Sequence, residues 1–234
     1  MSPLIDIDDA LVYQPPLTPP RSVLFSISPS GVGTPHQESL LSLLVRTSRA
    51  HGVSPRKLIR EVFGSADIAI SKLGYARFFK VHSGTVNGLG RYAEMFVSAT
   101  EQLTAHQNLR HLTLLPWQDI FPFKGQGLLA RHPRWCPTCL YQQQLLGQDM
   151  IFPLRWYLEL TRSCAEHMCS LEDRCPSCGK TQPYIPSFPD MGICEYCHQP
   201  KNGDQPGFIS IRIGDSIGAS QFNPVTSFAI CSHT

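Results

Sequence analysis

The chain has 234 residues, 42% of them hydrophobic, and a formal net charge of +2, enough chain for one elongated core or two or three small ones. Near-neutral charge gives no global case for nucleic-acid binding, so any such case must rest on local basic faces. No run approaches the roughly eighteen consecutive apolar residues of a membrane helix, and MSPLIDIDDALVYQPPLTPP at the N-terminus carries acids where a secretory signal needs a basic patch. A soluble, cytoplasmic protein with no membrane partner is expected, and in a reducing cytosol its nine cysteines are metal ligands sooner than disulfides.

In chain order, residues 1–22 are acidic and then proline-rich, an extended arm. Asp6, Asp8 and Asp9 beside Ile5, Leu11, Val12 and Tyr13 suit ordering on a basic partner. SVLFSIS (22–28) alternates like a strand. TPHQESLLSLLVRTSRAHG predicts a helix with Thr34 at the N-cap, Pro35 in the first position, Gln37 completing a capping box and Gly52 as the stop. Leu40, Leu43, Leu44 and Thr47 form its apolar stripe, with Ser42, Arg46 and Arg49 on another face. A second helix follows at once: Ser54 caps it, Pro55 begins it, Leu58, Ile59, Val62 and Phe63 face inward, and Gly64 ends it. Two helices joined by a short Gly-containing turn make a helix-turn-helix unit, with Arg46, Arg49, Arg56, Lys57 and Arg60 as candidate nucleic-acid contacts. A plain helical hairpin with a solvated face fits the same pattern. VNGLGRYAEMFVSATEQLTAHQN has helical spacing through Leu89, Tyr92 and Phe96, and LRHLTLLPW reads as a short strand or extended segment. Trp117, Trp135 and Trp156 are expected to cover a metal core rather than stack bases.

The chemistry concentrates after Arg134. Four knuckles have C-x-x-C or C-x-x-H spacing: Cys136 with Cys139, Cys164 with His167, Cys175 with Cys178, and Cys194 with Cys197. Two intervening residues let a tight turn present both donors to one tetrahedral ion. Taken in order they give C-x2-C-x24-C-x2-H and then C-x2-C-x15-C-x2-C, the second with zinc-ribbon spacing. Sequential pairing is preferred, because the shorter gap closes at lower entropic cost; an interleaved pairing of the first knuckle with the third is the alternative. Two zinc ions are expected, and both sites fill four positions with protein donors, which makes them structural rather than catalytic. A three-thiolate and a four-thiolate site would bring the formal charge to about −1. Cys169 and Cys231 are left as packed or spare thiols. HQE (36–38) imitates the zinc-deaminase H-x-E, but no P-C-x-x-C follows, and GTVNGLG lacks the Lys-Ser/Thr of a phosphate loop. No enzyme signature survives.

On these residues, ESLLSLLVRTSRAHGVSPRKLI, LRHLTLLPW, RWCPTCL, PLRWYLELTRSCAEH and LEDRCPSCGK together resemble the TniQ (TnsD-like) family of transposon target-selection proteins. The resemblance spans about residues 22 to 200 and is most specific from Thr113 to Gly179. It implies a mainly α protein with small β elements: an N-terminal helix-turn-helix domain and two zinc-ribbon or zinc-finger modules. The expected layout is an arm (1–22), a helical domain (23–112), a first zinc module (113–173), a second (174–201) and a C-terminal strand and tail (202–234). The implied role is a non-enzymatic adaptor between a target-recognition complex and the transposon's AAA+ ATPase, TnsC. The short stretch after the last knuckle tilts the expectation to the short form found in CRISPR-associated transposons. Its partners would be the ATPase, an RNA-guided effector complex, target DNA and, as an open case, a second copy of itself. The alternative is a sequence-specific DNA-binding selector or regulator using the helix-turn-helix.

Overall fold

A computed structural model describes residues 21–121 and 127–203. The acidic arm up to residue 20, the strand expected in GFISIRIGDSI (207–217) and Cys231 lie outside the described residues. Among those described, the secondary structure is mainly helical, and β-structure is limited to isolated antiparallel bridges. None of their helices is long and apolar enough to cross a membrane.

Helix α1 is Leu40–Ala50, and its cap is Ser39, not Thr34: the Ser39 hydroxyl accepts from the Ser42 N–H at 3.2 Å. Thr34 belongs to a tight turn before the helix. Its hydroxyl donates to the Gly31 carbonyl at 2.7 Å and accepts from the His36 N–H at 3.1 Å. Gly31 has φ +64°, and a Cβ there would lie 2.7 Å from the His36 carbonyl oxygen, so only glycine fits. The side chain of Gln37 bonds the Gly33 N–H and the His111 carbonyl instead of closing a capping box. The chain then runs beside residues 152–154, with Ser39 N–H donating to Phe152 and Leu154 N–H to Gln37. Tertiary pairing therefore delays the helix start by several residues.

Gly52 turns the chain at φ +64° as expected, and Ser54 caps the next helix through the Lys57 N–H at 3.2 Å. Helix α2 (Pro55–Lys57) continues without a break as a π-helical segment, Leu58–Phe63, and then as α3, Gly64–Ala66. Gly64 is no terminator. It keeps helical angles, and a Cβ on it would meet the Tyr75 hydroxyl at 2.9 Å, so it serves close packing. The helix ends at Asp67, whose carboxylate caps α4 (Ile68–Ser71) through the Ala69 and Ile70 N–H groups. Helix α5 (Tyr75–Arg77) runs through a second π segment, Phe78–His82, into a 3-10 turn, Ser83–Asn87. Helix α6 is Arg91–Thr104. The rings of Phe63, Phe78 and Phe96 stack between these elements at centroid distances of 5.8 and 5.4 Å.

LRHLTLLPW is not a strand. It forms two 3-10 turns, Leu109–Leu112 and Leu115–Trp117, because Glu101 accepts from the Leu109 N–H and Thr113 links the turns through Arg110 and Leu115. SVLFSIS forms no ladder either: Leu24 is buried, while Val23 and Phe25 stay exposed and Phe25 stacks on His51 at 4.2 Å. Trp135 and Trp156 are buried as expected, but Trp117 is 39% exposed and lines an apolar groove.

One contiguous core runs from Leu24 and α1 through the Phe cluster to Trp135, Cys136, Tyr157, Cys164 and Ile185. Gly84 marks how closely its parts approach, since a Cβ there would lie 2.6 Å from the Tyr184 ring, which is anchored by its hydroxyl to the Ala130 carbonyl. Gly84→Ala should therefore cost about 1–3 kcal/mol by overpacking, measured as a lower urea midpoint. Restoring the midpoint in Gly84→Ala/Tyr184→Leu would identify the ring as the cause.

Candidate metal centres

The first knuckle sits on a helix. Cys136 is the N-cap of α7 (Pro137–Leu145), and its sulfur accepts from the Cys139 N–H at 3.4 Å. Pro137 starts the helix with a fixed φ, and the positive end of the helix dipole favours thiolate over thiol. The other three knuckles share a different plan. The first donor's N–H bonds the carbonyl five residues on: Cys164 to Cys169, Cys175 to Lys180, and Cys194 to Gln199, at 2.7, 3.0 and 2.9 Å. The residue after the second donor is left-handed in each, with Met168 at φ 50°, Gly179 at 70° and His198 at 59°. That reversal closes the loop into an isolated bridge, Ser163 with Ser170, Arg174 with Thr181, and Ile193 with Pro200.

The donors gather in two groups, Cys136, Cys139, Cys164 and His167, and Cys175, Cys178, Cys194 and Cys197, each with its donor atoms within 4.8 Å of one another. This is the sequential pairing; the interleaved one is not formed. A tetrahedral zinc with ordinary bond lengths needs S···S edges of about 3.8 Å and S···N edges of about 3.6 Å. In the first group Cys139 lies 3.6 Å from Cys164, and His167 Nδ1 lies 3.5, 3.3 and 3.6 Å from Cys136, Cys139 and Cys164. In the second, Cys175 to Cys197 and Cys178 to Cys194 are both 3.6 Å. Both donor sets thus fit a metal ion, and soft sulfur-rich sets are consistent with zinc.

Electrostatics point the same way. In the first group, hydrogen bonds from Cys136 and Cys139 push the Cys164 pKa far down, while the Cys139 thiol is pushed up by Cys136 and Cys164. So many acidic donors this close cannot all ionise without a cation among them. In the second, burial opposes ionisation of Cys194, but N–H groups around Cys197 and Tyr196 prevail and lower it to about 6. Gln182 also donates to the Cys194 sulfur at 3.4 Å, and the Tyr196 N–H does so at the same distance.

Cys169 is buried with its sulfur 3.5 Å from that of Cys136. Sequence reasoning missed Glu166 and Glu38. Glu166, next to a donor, lies 3.7 Å from the Cys139 sulfur and 2.5 Å from His36 Nδ1, so the HQE histidine orients a carboxylate beside the centre. Glu38, fully buried, accepts from the Ser30 N–H at 3.0 Å, the Ser42 hydroxyl at 2.8 Å and Arg46 at 2.7 Å. Arg46 continues to Asp149 at 3.1 Å, which ties α1 to the loop after α7. No local pattern marks such a glutamate; only its place one residue before a cap sets it apart.

Of the five basic candidates, Arg46 is held by Glu38 and Asp149, and Arg49 lies 3.7 Å from Asp149 while half exposed. Arg56 crosses to the second centre, bonding the Ile185 carbonyl and Glu195 at 3.1 Å each. Lys57 and Arg60 are exposed on the second helix.

Among known families, the TniQ model matches residues 29–171, from the turn before α1 through the first metal centre. No curated protein matches the chain. With the match covering more than half of its length, the chain belongs to the TniQ family and is a transposition-associated protein.

Proposed function

We propose that this protein is a non-enzymatic target-selection adaptor holding two structural zinc ions. It connects a target-DNA recognition complex, RNA-guided in the favoured case, to the transposon's AAA+ ATPase. The observation that carries this reading is the pair of four-donor centres tied to the helical region, the first through the common core and the second through Arg56, which bonds the Ile185 carbonyl and Glu195. Donor sets closed by four protein atoms hold shape and leave no position for a reacting water. A protein that must present two partners in fixed relation needs such a scaffold.

The test is co-precipitation of the metal-loaded chain with the ATPase and the effector complex encoded beside it. Direct binding to both is expected, with only weak, unselective retention of duplex DNA; failure to bind either protein sinks the adaptor reading. The arm supplies a second prediction. Deleting residues 1–20, with their acidic and apolar side chains, should leave metal content and melting temperature unchanged but weaken association with the ATPase several-fold. Full retention would move that contact to the helical region.

A second reading is favoured by one feature. Lys57 and Arg60 stand exposed on the second helix of the proposed helix-turn-helix, where a DNA-reading helix would carry phosphate contacts. A sequence-specific selector would bind duplex tightly, prefer one sequence and lose affinity steeply with salt. A fluorescence-anisotropy salt series separates the two readings.

A further inference from the structure

Between the helical region and the second metal centre lies a groove of about 440 Å³. One wall carries Phe79 and Lys80 from the π segment after α5, and the loop before the first knuckle adds Arg131. The opposite wall carries Tyr184 and Tyr196, the latter 51% exposed between the two donors of the last knuckle. Lys180 places its ammonium 4.9 Å from the Tyr196 ring centre. Arg56 forms the floor, stacked 5.7 Å from the Phe79 ring, with its charge balanced by Glu195. Lys80, Arg131 and Lys180 are exposed, and none makes an ion pair with a described carboxylate. Lys80 and Arg131 thus line the groove, and Lys180 stands at its edge over one face of the half-exposed Tyr196 ring, three cations without an ion-pair partner among the described carboxylates.

We propose that this groove binds single-stranded nucleic acid, with Lys80, Arg131 and Lys180 on successive phosphates and a base stacked on Tyr196. The chemistry selects this occupant. Cations alone would serve any polyanion, but an exposed ring among them adds stacking that a nucleic-acid base can use. A duplex keeps its base faces stacked inside, and the Asp and Glu side chains of an acidic peptide bring carboxylates without rings. The site is distinct from Lys57 and Arg60 on the second helix, and it does not rest on the adaptor reading. Its failure would leave binding to the ATPase and the effector complex untouched.

The experiment uses the full metal-loaded chain and fluorescence anisotropy. The probes are a short oligouridylate, an oligothymidylate of equal length, a mixed-sequence duplex and polyglutamate. Both single strands should bind, about ten-fold more tightly than duplex or polyglutamate, and any preference between them assigns the sugar. Tyr196→Ala should weaken single-strand binding about ten-fold, while Tyr196→Phe, which keeps the ring, should retain it. Lys80→Glu/Arg131→Glu, away from the metal donors, should abolish detectable binding at moderate salt; at low salt the log–log salt slope should fall by about 0.7 for each phosphate no longer neutralised. Metal content measured on each variant separates loss of the site from loss of the fold. Unchanged binding in Tyr196→Ala with metal intact, equal affinity for polyglutamate, or an inert double charge reversal would each overturn the proposal.

Discussion

Replacing His167 with alanine, or Cys139 with serine, should release the metal of the first centre and unfold its surroundings. Elemental analysis would show the loss of one ion per chain, and circular dichroism a collapsed melting transition. The effect is large because metal-binding free energy is folding free energy here: structural zinc contributes about 10–16 kcal/mol in small domains, against a total stability of about 5–15 kcal/mol. Cys136 and Cys164 are buried in the common core with Trp135, so damage should spread to α1 rather than stay local. Cys169→Ser is the control, and it should keep its metal. If Cys169→Ser released an ion and His167→Ala did not, the thiol 3.5 Å from Cys136 would be the fourth donor in place of the imidazole.

Glu38→Ala is expected to be the most damaging change outside the metal donors. It strips the acceptor from Ser30, Ser42 and Arg46 at once and leaves a mostly buried guanidinium with only Asp149 and, at 3.5 Å, the Ser28 carbonyl. Breaking a buried pair from one side costs about 3–5 kcal/mol. Glu38→Gln, which keeps the shape and one acceptor, should cost less. The pH dependence has a definite sign. Burial raises the Glu38 pKa above its ordinary 4.5, with Arg46 pulling the other way. A carboxyl group raised on folding contributes stability that is fully present below 4.5 and is lost as pH rises through the folded value. The advantage of wild type over Glu38→Gln in urea denaturation should therefore shrink between acidic and neutral pH. An advantage that grew over that range would mean that Arg46 outweighs burial.

The parts of this protein that were readable in its sequence are those governed by neighbours. The C-x-x-C and C-x-x-H pairs bring their own turn geometry, so the eight residues that gather in two groups able to hold a metal could be named. Ser54-Pro55 caps its helix from three residues away, and the Leu40, Leu43, Leu44 stripe is buried as its spacing implies. What failed was decided at long range. Thr34-Pro35 looks like a helix start, but the pairing of Gln37 and Ser39 with residues 152–154 holds that segment extended. Arg46 and Arg56 look like free surface cations, yet Asp149 and Glu195 claim them from across the chain. LRHLTLLPW has the apolar content of a strand, but no described strand lies beside it to share a ladder, and its polar groups close locally into 3-10 turns.

The shared core also has a mechanical consequence. Arg56 is bonded to the second centre, Tyr184 is pressed on Gly84, and Glu38 locks α1 to the chain near Phe152. Cross-links in three places make the described residues a stiff bracket rather than beads on a string. If the proposed adaptor seats one partner on the helical face and another on the metal-bearing face, the two would be held at one distance and one angle. In the proposed adaptor role such a part would measure, converting the position of one bound complex into the position of the other.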